Sequence, residues 1–64
     1  MRVRVSAKIE AQLAEIRAEG GTNMYLPRAV QVIADQKGFP ELVCWIEDHK
    51  GDYIKGILRG FKAE

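Results

Sequence analysis

Cysteine and histidine each occur once in this 64-residue chain, as Cys44 and His49. One thiol forms no internal disulfide, and one Cys with one His falls short of the four ligands of a structural zinc site. Net charge is nearly absent too: 10 Lys and Arg against 9 Asp and Glu leave +1, too little for a global field toward nucleic acid or an anionic membrane. Long apolar runs are lacking, none approaching the ~18 residues of a membrane span, and the first residues do not show the charged-then-apolar pattern of a secretory signal. Repeats, low-complexity tracts and linkers are missing as well. The expectation is one domain over residues 1–64, cytoplasmic, where an unpaired cysteine stays reduced.

What is present is apolar mass at helical spacing. A chain that is 47% hydrophobic and 30% charged is too apolar to be disordered. At this length only about 60% of the unfolded surface is buried, so stability has to come from packing, with or without self-association. Gly20-Gly21 and Gly38-Phe39-Pro40 divide the chain into three segments. In the first, Ser6 suits an N-cap, Ile9, Leu13 and Ile16 repeat at i, i+4 and i+7, and the glycine pair stops the helix, predicting residues 6–19. In the second, Pro27 fits a first turn and Leu26, Val30, Ile33 and Ala34 form one stripe, predicting 27–37.

The third segment opens with Pro40 and Glu41. Leu42, Val43, Trp45, Ile46, Tyr53, Ile54, Ile57, Leu58 and Phe61 then spread over more than half of a helical circumference, a width that calls for cover on two sides. Gly51 weakens this helix by up to ~1 kcal/mol relative to Ala. A continuous helix over 40–59 with a kink there is expected, a break with Asp52 capping a new start being the alternative. Met1 to Val5 alternates like a strand, but without a second strand it reads as an extended arm. The expected fold is therefore all-α: a compact three-helix domain with a long C-terminal helix and a short extended N-terminal arm.

Constellations for chemistry are thin. Cys44 sits between Val43 and Trp45 and reads as a buried or half-buried structural residue, since a reactive thiolate needs a base or positive surroundings. His49 lies five residues on, where the two side chains diverge, and reads as a partly buried, hydrogen-bonded histidine. Glu47 and Asp48 face different ways, and Asp48 with Asp52 lacks a third ligand, so these carboxylates read as a solvated surface. Gly20-Gly21-Thr22-Asn23 lacks both the spacing and the preceding strand of a phosphate-binding loop. No catalytic residue, metal or cofactor is expected, and the chain is expected not to be an enzyme.

Binding offers two readings. Aromatic residues anchor interfaces, which makes Trp45, Tyr53 and Phe61 candidate contacts for a protein partner, a homodimer being one form. The run from Ile33-Ala34 to Gly38-Phe39 also reproduces part of a helix-turn-helix. The helix after that turn offers Glu41, Glu47 and Asp48, which phosphates repel. Basic residues lie elsewhere, as Arg2 and Arg4 in the arm and Lys55, Arg59 and Lys62 toward the end.

At Thr22-Asn23-Met24-Tyr25, Ala29-Val30-Gln31, Ile33-Ala34, Gly38-Phe39, Glu41-Leu42-Val43, Trp45-Ile46-Glu47, Tyr53 and Ile57-Leu58 with Gly60, the chain resembles a family of short uncharacterised proteins encoded in bacteriophages and prophages. The likeness covers roughly residues 6–60, departing at Leu26-Pro27, where a polar helix cap is expected, and at Gly51. The family is a domain of unknown function, with no catalytic residues to carry over. The resemblance implies a mobile-element accessory protein acting inside a bacterium. Together these readings predict a non-enzymatic module that docks on a phage or host protein through Trp45, Tyr53 and Phe61. The alternative is a small helix-turn-helix-like DNA-binding regulator using Arg2, Arg4, Lys55, Arg59 and Lys62.

Overall fold

The computed structural model describes residues 2–63. Two short strands at the chain ends enclose four helices: β1 (Val3–Val5), α1 (Ala7–Glu19), α2 (Pro27–Gln36), α3 (Pro40–Asp48), α4 (Lys50–Arg59) and β2 (Phe61–Ala63). The chain is mostly helical, but the expected three-helix domain with a long C-terminal helix is corrected on two counts, the third helix and the arm.

The first two helices end where their punctuation places them. Ser6 Oγ accepts the Ile9 N–H at 3.2 Å and opens α1, and Gly20 closes it with φ 71°. Leu26 caps α2 without a side-chain bond. The turn before it is instead held by Asn23, whose Oδ1 accepts the Tyr25 N–H at 3.0 Å, with Pro27 supplying the helical φ. After α2, Gly38 takes φ 77°, the Phe39 N–H reaches back to the Ala34 carbonyl at 2.8 Å and the Gly38 N–H to that of Asp35 at 3.1 Å. This is a Schellman closure, in which glycine avoids the left-handed penalty.

The helix expected over 40–59 breaks at His49, not at Gly51. His49 has φ −137° and ψ 44°, outside the helical region, and its N–H reaches only the Ile46 carbonyl, at 3.2 Å. The Trp45 carbonyl, which a continuous helix would satisfy with that N–H, is met by the imidazole, with Nδ1 at 3.0 Å. Since a carbonyl only accepts, Nδ1 carries the proton in this contact. The His49 carbonyl then accepts the Tyr53 N–H at 2.8 Å, starting α4. The break turns Leu42 and Ile46 of α3 and Tyr53 of α4 into one core, all at 0% exposure.

The N-terminal arm is a strand with a partner. β1 and β2 run parallel, with Val3 opposite Phe61, Arg4 opposite Lys62 and Val5 opposite Ala63, and the Val3 N–H donates to the Gly60 carbonyl at 3.0 Å. A parallel pair needs a long crossover, and here the four helices together provide it. Val5 is buried and Val3, Phe61 and Ala63 are half-buried, whereas Arg4 and Lys62 face out. β1 packs against α4 and β2 against α1.

The core comprises Val5, Ile9, Leu13, Ile16, Val30, Ala34, Leu42, Ile46 and Tyr53. β2 approaches α4 at Gly56, where a side-chain carbon would collide with the Phe61 ring. Among the described residues, no helix is long and apolar enough to cross a membrane.

Candidate functional site

Pairing of the two chain ends assembles a basic face. A groove of about 470 Å³ is lined by Arg2, Val3, Arg4, Asp52, Lys55 and Arg59. Side chains two apart on a strand share a side, which puts Arg2 and Arg4 together, and register sets Lys62 abreast of Arg4. Lys55 and Arg59, four apart on α4, form the second row. The Arg2 side chain runs over Gly60, close enough that a Cβ there would touch it at 3.6 Å. All five basic side chains are exposed.

Elsewhere, three lysines are matched with acids, while Arg17 on α1 and Arg28 on α2 are not in an ion pair among the described residues. Lys8 Nζ lies 3.1 Å from Glu41, Lys37 lies 2.9 Å from Glu15 and also pairs with Glu19, and Lys50 lies 3.3 Å from Glu47. Among the described residues, none of the ion pairs involves Arg2, Arg4, Lys55, Arg59 or Lys62. The pairing is felt in the titrations. The Glu41 carboxyl is held below its ordinary range by its own backbone N–H at the start of α3, then by Lys8 and Gln12. Glu47 is held down by the Gln31 amide and Lys50. Lys37 is pushed up by its bonds to Glu19 and Glu15.

The three aromatic candidates occupy different environments. Tyr53 is fully buried; its hydroxyl donates to the Met24 carbonyl at 2.7 Å, and desolvation pushes it up to about 12. It therefore supports the core and presents no contact surface. Phe61 is half-buried, lying on Gly56, with its ring centroid 6.1 Å from that of Tyr53. Trp45 is also half-buried, stacked on His49 at 5.1 Å and meeting Phe61 edge-on at 6.1 Å. Cys44, expected to be at least partly covered, is exposed. His49 is exposed as well, its imidazole engaged with Trp45.

The helix-turn-helix unit has the closure at Gly38, but the front of its second helix is occupied. Glu41 receives Lys8 at 3.1 Å and the Gln12 amide at 3.3 Å, both from α1, while Glu47 receives Gln31 at 3.3 Å from α2. That front is acidic and tied to its own neighbours. Asp48 and Asp52 fall on separate helices. Among the described residues, no three His, Cys, Asp or Glu side chains are grouped to hold a metal ion.

Sequence reasoning named all five basic residues but treated them as an arm and a separate helical strip, and it left Asp52 outside both. The signal that joins them is brief: Phe61-Lys62-Ala63 after Gly60 repeats the apolar-basic-apolar order of Val3-Arg4-Val5.

No curated protein matches the chain, and no solved structure matches it. A family model described as "Domain of unknown function (DUF5049)" matches residues 5–61, nearly the stretch over which a resemblance to an uncharacterised family was read. With most of its length matched, the chain belongs to the DUF5049 family.

Proposed function

We propose that this chain is a non-enzymatic binding module that docks its basic face on an anionic partner. It is an accessory protein of the phage or prophage kind that the resemblance implies, acting in the cytoplasm of a bacterial cell. One observation carries the reading: Arg2, Arg4, Lys55, Arg59 and Lys62 converge on one face without ion pairs among the described residues, while Lys8, Lys37 and Lys50 elsewhere are paired and Arg17 and Arg28 lie singly on α1 and α2. Like charges gathered without partners create a strong local potential even at a net charge of +1, and such a face steers the encounter with an opposite charge.

Retention on immobilised heparin tests it. A variant carrying Arg4→Gln, Lys55→Gln and Arg59→Gln is compared with one carrying Lys8→Gln, Arg28→Gln and Lys50→Gln, which loses the same charge elsewhere. The first variant should elute at clearly lower salt than the second, with helical circular dichroism unchanged in both. Equal shifts would mean that only overall charge matters and would remove the docking face.

Leu58 supports a second reading, docking on a protein through apolar contact. It is 65% exposed, and Ile54, one turn before it and half-buried, shares its side of α4. In its homodimer form this reading predicts concentration-dependent mass by light scattering that Leu58→Asp abolishes. A monomer at all concentrations would remove that form.

A further inference from the structure

We infer that the anionic partner is the phosphate backbone of duplex nucleic acid, bound without regard to sequence; this rests on the docking-face reading above. The side chains have the right chemistry. Three of the five are arginines, whose planar fork meets phosphate oxygens in a bidentate manner, and the two lysines add point charges.

Their layout suits a regular line of anions. Arg4 lies in β1 and Arg2 immediately before it, about 7 Å apart for extended chain, and Lys55 and Arg59 are one helical turn apart on α4, about 6 Å. Two short rows of similar pitch flank one groove, with Lys62 extending the strand row sideways. A nucleic-acid strand offers one phosphate per ~3.4 Å of axial rise, spaced further apart along the winding backbone, so each row can meet neighbouring charges.

The groove also lacks what other partners need. Its lining contains no aromatic ring and only Val3 as an apolar residue. Single-stranded nucleic acid is held by stacking of bases on aromatic side chains, and protein partners are anchored by buried aromatic or aliphatic groups. Asn and Gln, which read adenine in the major groove, are absent from the lining as well; Arg and Lys can read guanine, so duplexes of two unrelated sequences have to be compared. What remains is charge for a backbone. Asp52, the one acid in the lining, opposes that charge, so its neutralisation should strengthen binding.

Anisotropy of labelled duplexes of two unrelated sequences, titrated with the full chain over a salt series, tests the inference. Neutralisation of three or four phosphates predicts a slope of about −2.7 to −3.6 in log affinity against log salt, with the two sequences alike and the matching single strand weaker. Lys55→Gln with Arg59→Gln should reduce the slope by about 2. Asp52→Asn, a polar swap in the first turn of α4, should tighten binding a few-fold.

Absence of duplex binding at low salt, a salt-independent affinity, or tighter binding of the single strand would overturn it. Polyglutamate separates the two levels. If it binds through the basic face while the duplex does not, the partner is an acidic protein and the docking-face reading stands without this inference. If heparin, polyglutamate and duplex all fail to bind, both fall.

Discussion

Tyr53 shows how one residue can be misassigned by a helical pattern. As part of an unbroken 40–59 helix it lies in a wide apolar arc with surface to spare, and an aromatic ring there suggests an interface. Once the helix breaks at His49, Tyr53 turns inward, fully buried, with its hydroxyl on the Met24 carbonyl. Tyr53→Phe keeps the ring and leaves that carbonyl short of a donor, so urea unfolding should show a loss of about 1–2 kcal/mol. Burial holds the phenol neutral, moving its titration from 10.0 to about 12. A group whose folded value is raised contributes stability that is complete below the unfolded value and lost as pH rises through the folded one. Phenolate absorbance and loss of helical dichroism should therefore appear together as pH climbs from 10.0 to about 12. Ionisation of Tyr53 at 10.0 with the helices intact would contradict the burial.

Gly51 and Gly56, both in α4, separate the local signals from the tertiary ones. Glycine in a helix reads as a weak point wherever it falls, and Gly51 was singled out for that reason. It is exposed with open space around it and an ordinary backbone, so Gly51→Ala should raise stability by roughly 0.5–1 kcal/mol. Gly56 gives the same sequence signal but lies under the Phe61 ring, and Gly56→Ala should lower stability by about 1–3 kcal/mol through overpacking. Chemical denaturation of the two variants checks both signs. The first two helices were readable because Ser6, Gly20, Pro27 and Gly38 are local stop and start signals. The strands were not, since three residues each carry too little pattern and the pairing joins opposite ends of the chain. At the His49 break the imidazole takes the Trp45 carbonyl, a contact that no spacing rule encodes.

Across the fold, charge is sorted. Glu15, Glu19, Glu41 and Glu47 are paired with Lys8, Lys37 and Lys50, while Arg2, Arg4, Lys55, Arg59 and Lys62 gather on the β1–α4–β2 side. The near-zero net charge concealed this, because a sum carries no positions. Glu41 and Glu47 are both lowered from 4.5, so their contribution is present above the ordinary carboxylate range and is lost as pH falls through the lowered values. Thermal midpoints should drop on acidification through that range, and Glu41→Gln should flatten the drop; an unchanged pH profile would mean that these contacts do not persist in solution. Because both carboxylates are exposed, the effect should also shrink in high salt.

Backbone amide shifts on titration with a short DNA duplex would locate the docking surface residue by residue. Shifts should concentrate in Val3–Val5, Lys50–Arg59 and Phe61–Ala63 and fade as salt is raised. Shifts centred on Pro40–Asp48, or on Tyr25 and Leu26, or none at low salt, would contradict the assembly of a binding face from the two ends of the chain.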